Sequence, residues 1–416
     1  VLRLTAIRNG SVELGERKVG AWAASDAHPF LVCRGDFMIT RGNGSLALVG
    51  RGGLVRQEPD GVAFPDTMIR ARPRRSELLP EYLALVWESP DVRAQVERAA
   101  RTSAGIYKVS QPSLGAVRLP VPSIDEQRRI VAILEEHLSD LDDATSALTR
   151  AEKRLWVLRD LRVAGHLTGN GRPEEHSTGL SSVGTHDGDL PLLPVGWSWS
   201  RLGNVAEVVG GVTKDSKKQS DPALAEVPYL RVANVQRGRL DLSTVTTIRV
   251  PEAKARSLAL RSGDVLLNEG GDRDKLARGW VWEGQIEHCI HQNHVLRARV
   301  TDARLDPYFL SMTANSFGAK WAERNGKQSV NLASISLSMI KKMPVIVPAP
   351  GEARRVVEVV RAESESFDRT GSEIRSAVAR SVALRRSLLA AAFSGRLTGH
   401  GTDTDVIEEL AQEEPA

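Results

Sequence analysis

The chain repeats itself, and the repeat limits its fold more than any other feature. Leu2-Arg3-Leu4 with Arg8-Asn9-Gly10 returns as Leu230-Arg231-Val232 with Gln236-Arg237-Gly238, about 228 positions on. Gly35-Asp36 returns as Gly263-Asp264, and Ile69-Arg70-Ala71-Arg72 as Leu296-Arg297-Ala298-Arg299. Pro80 matches Pro307, and Val121-Pro122 with Glu126 and Arg128-Arg129 matches Val347-Pro348 with Glu352 and Arg354-Arg355. One such echo arises by chance, but an ordered series at a nearly constant offset does not. The chain is a tandem duplication, so one architecture has to serve both copies.

Each copy opens with short β-rich runs punctuated by Gly and Asn: Phe37 to Thr40 in the first, Val265 to Leu267 and Val295 to Val300 in the second. Prolines then mark the entry to a long charged helix: Pro120 and Pro122 in one copy, Pro344, Pro348 and Pro350 in the other. In the first helix Leu134, Leu141, Leu148 and Leu155 recur every seven residues, and Ile130, His137, Ala144, Ala151 and Leu158 are expected at the second seam position. In the second, Val360, Phe367, Ile374, Ser381 and Leu388 keep the same phase, with Leu384 matching Leu158. A helix with one apolar stripe is unstable alone, so the two are expected to pair with each other. Between Gly169 and Asp189 the composition turns to Gly, Ser, Thr, His and Asp, which predicts a flexible linker. The second copy opens at Leu190 with Pro194-Val195-Gly196-Trp197 and Leu202-Gly203, for which the first copy has no counterpart. The first copy is therefore expected to be short by about forty residues, on a chain that begins with Val.

Of the 416 residues 41% are hydrophobic, enough for real cores and too many for a disordered chain. The two cysteines, Cys33 and Cys289, fit a reduced, intracellular protein. No apolar run reaches the roughly 18–20 residues of a membrane helix, so the expected location is the cytoplasm. The net charge of +4 hides an asymmetry. Beyond His400 stand Asp403, Asp405, Glu408, Glu409, Glu413 and Glu414 without a Lys or Arg, so the body is distinctly basic. A basic body with an acidic tail fits a nucleic-acid binder.

Catalytic motifs are weak. The nearest approach to an amino-methyltransferase motif, Asp306-Pro307-Tyr308-Phe309, has one proline and pairs in the repeat with Leu79-Pro80-Glu81-Tyr82, so each proline is expected in the first turn of a helix. The Gly-rich stretch Gly42 to Gly53 lacks the Lys-Ser/Thr of a phosphate-binding loop. His288-Cys289-Ile290-His291-Gln292-Asn293-His294 has the residue types of a zinc site. Its repeat partners at the last four positions are Phe64, Pro65, Asp66 and Thr67, and strand alternation sends neighbouring side chains to opposite faces. No metal and no cofactor are expected.

Several motifs together resemble the specificity (S) subunit of type I restriction–modification systems. They are Pro194, Gly196 and Trp197 with Leu202-Gly203; Tyr229-Leu230-Arg231-Val232-Ala233-Asn234-Val235; and Gly263-Asp264-Val265-Leu266. Leu119-Pro120-Val121-Pro122 running into Asp125-Glu126-Gln127-Arg128-Arg129-Ile130, and the ending Phe393-Ser394-Gly395-Arg396-Leu397-Thr398-Gly399, complete the set. The resemblance covers almost the whole chain. It implies an α+β fold: two tandem target-recognition domains of mixed β-sheet with helices, each followed by a long helix. The two helices would pair as an antiparallel coiled coil with pseudo-twofold symmetry. The implied layout is a first recognition domain over 1–122, a spacer helix over 123–168, a linker over 169–189, a second recognition domain over 190–349, a second helix over 350–395 and an acidic tail over 396–416. It also implies a non-catalytic subunit that reads a bipartite double-stranded DNA site and joins two methyltransferase subunits and motor–nuclease subunits. The chain departs from the pattern at the missing opening of the first copy, at Gly165-His166-Leu167-Thr168-Gly169, where residues matching Ala392 to Gly395 are largely missing, and at Gly351-Glu352-Ala353-Arg354, which lacks the Glu-Gln pair of the first helix.

Reading DNA needs Lys and Arg for phosphates, and Arg, Asn, Gln or Lys for base edges. Candidates in the first copy are Thr40, Arg41, Asn43, Ser45, Arg101, Ser103, Tyr107 and Lys108. In the second they are Lys214, Lys217, Lys218, Gln219, Asn268, Arg273, Lys275, Asn325, Lys327 and Gln328. Helices of about 35–40 residues span roughly 50–60 Å, enough to hold two readers one to two DNA turns apart. Two alternatives remain at this point: a degenerate relative that reads one half-site because its first domain is short, and, from another class, a stand-alone methyltransferase or nuclease.

Overall fold

The computed structural model describes residues 1–103, 105–171, 175–176, 180–181, 183–328 and 332–397. Of the acidic tail expected over 396–416, only Arg396 and Leu397 lie among the described residues. The chain divides into two compact units, Val1–Glu152 with Ser372–Ala416, and Lys153–Gly371. Each unit holds the sheet-bearing part of one copy and a stretch of both long helices, so the units do not follow chain order.

The centre of each unit is the same three-strand arrangement. Phe37–Thr40 lies antiparallel between Gly52–Leu54 and Met68–Ala71, with Phe37 opposite Leu54 and Ala71. Val265–Asn268 lies antiparallel between Gly279–Val281 and Val295–Val300, with Val265 opposite Val281 and Ala298. Both central strands are buried along their whole length, because both faces are covered. Phe37 and Ile39 point into one apolar cluster with Tyr82, Val86 and Trp87, while Met38 points into another with Leu2, Val55 and Val62. Val265 and Leu267 face Phe309 and Leu310, whereas Leu266 faces Leu230, Val235 and Trp282. Alternation along an extended chain accounts for both patterns. The helices on one face, Pro80–Trp87 and Pro307–Thr313, each begin with their proline in the first turn, as expected. Asp306 caps the second by accepting from the Tyr308 N–H at 2.8 Å.

The Gly-Asp pairs and the Arg-x-Arg pairs of the repeat meet in space. Asp36 is 1% exposed and accepts two hydrogen bonds from the Arg72 guanidinium, at 2.6 and 2.9 Å, and one from the Cys33 N–H at 2.9 Å. Asp264, equally buried, accepts from Arg299 at 2.7 and 2.8 Å and from the Arg261 N–H at 2.7 Å. Gly35 and Gly263 precede them with φ of +92° each, a conformation that favours glycine.

The long helices run over Ile124–Leu167 and Glu352–Phe393. In the first unit they pair antiparallel: Asp142 with Arg385 at 2.8 Å, Thr145 with Ser381 at 2.7 Å and Glu152 with Arg375 at 3.1 Å. In the second unit Arg162 reaches Glu363 at 3.0 Å, and Val163 and Leu167 share a core with Ala353, Val357 and Val360. Leu134, Leu141, Leu148 and Leu155 are buried or half-buried, as are Val360, Phe367, Ile374 and Leu388. At the second seam position Ile130 is buried and His137 half-buried, and the rest is corrected. Leu138, Thr145 and Glu152 turn inward, whereas Ala144, Ala151 and Leu158 are exposed. The inward neighbour of each Leu is thus the residue four positions after it rather than three; both spacings fit a 3.6-residue turn, and the side on which the partner helix lies decides between them. Among the described residues no helix is long and apolar enough to cross a membrane.

Candidate nucleic-acid interface

Each unit carries a second, smaller sheet, and Asn43, Arg101, Ser103, Tyr107, Lys108, Lys327 and Gln328 of the DNA-contact candidates lie on the strands of these sheets. In the first unit Gly42–Asn43 pairs with Ile106–Lys108, which pairs with Arg101–Ser103. In the second unit Gly270–Gly271 pairs with Ala333–Ser334, which pairs with Lys327–Gln328. The two assemblies match strand for strand at the repeat offset. Their strands are only two or three residues long, and glycines supply the conformations needed at the bends: Gly105 at φ +78° and Gly271 at φ +140°. Short strands rich in Gly, Lys and Arg cannot build a core, so they stand at the surface of the unit.

In the first unit Arg41, Arg101 and Lys108 are exposed, with no side-chain hydrogen bond or ion pair to any described residue. Tyr107 is half-buried against the apolar core, which leaves one end of its ring assembly outward. The Asn43 Oδ1 accepts from the Ser45 N–H at 3.0 Å, an Asx turn that fixes the loop, and Ser45 is exposed. For Ser103 only the backbone is described.

In the second unit Lys327 and Gln328 are exposed on the small sheet. Arg273 donates two hydrogen bonds to the Glu323 carbonyl, at 3.0 and 2.8 Å, and Lys275 is paired with Asp272. That ammonium holds the Asp272 carboxyl below the usual carboxylate range. Asn325 spends its amide on the chain itself: Oδ1 accepts from the His186 N–H at 2.9 Å, and Nδ2 donates to the His186 and Trp321 carbonyls at 3.0 and 2.9 Å.

Four expected contact residues have structural duties instead. Thr40 and Asn268 end the central strands and are buried there. Thr40 Oγ1 donates to the Leu48 carbonyl at 3.2 Å, and Asn268 Nδ2 to the Val235 carbonyl at 2.8 Å. Gln219 pairs with the main chain of Arg249, accepting at 3.0 Å and donating at 3.2 Å, and Lys218 is held by Asp215 at 3.5 Å. Lys214 and Lys217 remain exposed on that same loop, which packs on the strand Thr246–Val250 rather than on the small sheet. The sequence reading passed over Arg278, beside the 270–275 loop. Burial lowers the pKa of its guanidinium, with a further lowering from Arg237, and its Nε has no hydrogen-bond partner among the described residues. Its place in the run Arg273 to Gly279 was the available signal.

The His-Cys stretch spreads its side chains apart. His291 is buried with Nδ1 2.6 Å from the Val295 carbonyl, while His294 meets Glu269 at 3.0 Å near the surface. Burial pushes the Cys289 thiol up to about 12 and the His291 imidazole down to about 4. Among the described residues no group of three or more His, Cys, Asp or Glu is placed to hold a metal ion.

No family model matches the chain. It is 23% identical over 368 residues to the StySPI type I restriction enzyme specificity subunit of Salmonella potsdam, covering 87% of this chain and 75% of that protein. It is 27% identical over 179 residues to the EcoKI specificity subunit of Escherichia coli K12, covering 42% of this chain and 38% of that one. Among solved structures, a chain from a study of complex assembly in the type I R-M system superposes with a TM-score of 0.68 at 19% identity, covering 95% of this chain and 91% of that one. At that identity the likeness is one of fold. In its sequence relatives the chain is similar to the specificity subunits of type I restriction–modification systems, the family its motifs indicated, and in fold to a chain of a type I R-M system.

Proposed function

We propose that the chain is the non-catalytic DNA-reading subunit of a type I restriction–modification complex, in which each unit reads one half of a bipartite double-stranded site. One observation carries the reading: the small exposed sheet that gathers Arg101, Tyr107 and Lys108 in one unit is built again around Lys327 and Gln328 in the other. Two similar readers on one chain suit two half-sites with an unread gap. The partners are two methyltransferase subunits and motor–nuclease subunits, in the cytoplasm, and helices of 44 and 42 residues, roughly 65 Å each, serve as the spacer.

Co-expression with the methyltransferase subunit, followed by genome-wide mapping of methylated bases, tests this. A two-part motif with a fixed gap is the expected result. Methylation governed by a single half-site would favour the alternative in which only the second unit reads. That alternative draws support from the unpaired stretch Val19–Trp22 in the first unit. Lengthening both long helices by whole turns should widen the gap, and an unchanged motif would overturn the spacer role.

A further inference from the structure

The stretch joining the copies, expected to be a flexible linker, is fastened to the second unit where it is described. The Asp187 carboxylate accepts four hydrogen bonds: from Arg201 Nη1 and Nη2 at 2.9 and 2.8 Å, from Trp321 Nε1 at 2.9 Å and from Thr185 Oγ1 at 2.9 Å. Arg201 and Trp321 are both buried. Upstream, the Ser181 carbonyl accepts from Arg201 at 2.7 Å and the Val183 carbonyl from Lys342 Nζ at 2.9 Å. The His186 main chain is bracketed by the Asn325 amide, and the Asp187 carbonyl accepts from Arg324 at 3.3 Å.

Four of these bonds, made by Trp321, Arg324 and Asn325, fall on the helix Ala319–Asn325, whose end leads into the second small sheet, and the others, apart from the Thr185 bond inside the stretch, tie it to Arg201 and Lys342. Two residues past Asn325 the chain enters Lys327–Gln328, and Arg273 of the neighbouring loop is tied to the same helix end through the Glu323 carbonyl. We infer that Val183–Asp187 is a positioning latch for DNA reading by the second unit: anchored on Arg201, Asp187 holds Trp321 and His186 holds Asn325, and the helix end so fixed sets the placement of Lys327, Gln328 and Arg273. The inference rests on the proposed DNA-reading role. Asp187 touches no base in it; the residue acts by removing the freedom of the helix end, so that a reading group is not ordered anew on binding.

The test compares the full chain with its Asp187→Ala and Asn325→Ala variants, each co-expressed with the methyltransferase subunit and scored by the methylated motif, one half-site at a time. The expected result for Asp187→Ala is a loss of base selectivity of about tenfold in one half-site, with the other half-site and the gap unchanged. Asn325→Ala removes the bracket on His186 and one bond to the Trp321 carbonyl but leaves Asp187 in place, and should give a smaller loss in the same half-site. Hydrogen exchange on Val265–Asn268 reports whether each variant keeps its core; if Asp187→Ala does not, Asn325→Ala decides. Unchanged selectivity in both half-sites, in a folded variant, overturns the latch and leaves the DNA-reading role standing. Equal loss in both half-sites also overturns it, since a general destabilisation does that. If the unaltered chain directs no sequence-selective methylation, the DNA-reading role fails and the latch with it.

Discussion

At the sheet centre the two units are built alike, and at the margin they are not. Asp36–Arg72 and Asp264–Arg299 clamp the same strand pair in the same bidentate way, yet Arg72 is 56% exposed and Arg299 24%. The first long helix enters its unit through Gln127, fully buried, which accepts from the Leu79 N–H and donates to the Glu77 and Pro122 carbonyls, all at 2.9 Å. The second helix has Ala353 at the matching position, packed in an apolar core. In the second unit the strand Thr246–Val250 is paired along its length with Ala225–Tyr229, over a cluster that includes Val227, Ile248 and Leu258. In the first unit Val1 and Lys18 exchange two main-chain hydrogen bonds, at 2.7 and 2.9 Å, and Val19 to Trp22 then runs on exposed, with Trp22 stacked on Phe30 at 5.3 Å between ring centroids. The difference separates what the duplicated fold requires from what it tolerates. The clamp that orders the central strands is kept twice, while helix entry and sheet edge are solved locally.

The clamp gives the largest effect. Removing one partner of a buried ion pair costs about 3–5 kcal/mol. Asp264→Ala should fall in that range, measured as loss of hydrogen-exchange protection in Val265–Asn268. Asp36→Ala should cost less, because Arg72 can turn to water while Arg299 is more enclosed. Equal costs would mean that the two clamps do not differ as their exposure implies.

The second effect belongs to one unit alone. His291 is buried with its pKa held near 4, below the ordinary value of about 6.5. Between those pH values the unfolded chain takes up a proton that the folded unit refuses. The second unit should therefore lose stability as pH falls from about 6.5 to about 4, by about 3 kcal/mol in all. Phe64 stands at the matching position of the first copy and does not titrate. Urea unfolding at pH 7 and pH 4.5, followed by exchange in each unit, checks this, and His291→Leu should flatten that part of the pH dependence.

Gln127 gives the smallest effect. Gln127→Ala strands a donor and two acceptors at the entry to the first helix and should cost about 2 kcal/mol, seen as earlier fraying over Ile124–Ile130. The second unit, with alanine already there, makes no such demand.

The central strands could be read from the sequence because each is an apolar run bounded by a Gly-Asp turn and repeated at a fixed distance. The helix starts at Pro80 and Pro307 were equally legible, since proline at the first turn is a local rule. The clamps were written in the same repeats, Asp36 with Arg72 and Asp264 with Arg299, but a pairing between repeats needs strand register, which composition does not carry. For the same reason Thr40 and Asn268 read as surface polar residues, although each closes a buried strand. Asp187 could not be found at all: it lies in a stretch of loop-like composition, and its partners Arg201 and Trp321 are distant in sequence.

The division of the chain also bears on how it is made. The second unit is one continuous stretch, Lys153–Gly371, and all of it precedes the second part of the first unit in the chain. The first unit is not continuous. Its apolar core includes Leu388, Leu389, Ala391, Ala392 and Leu397, so the half synthesised first stays open until the end of the second long helix arrives. Domains generally fold as units during synthesis, and here the unit begun first is the one completed last.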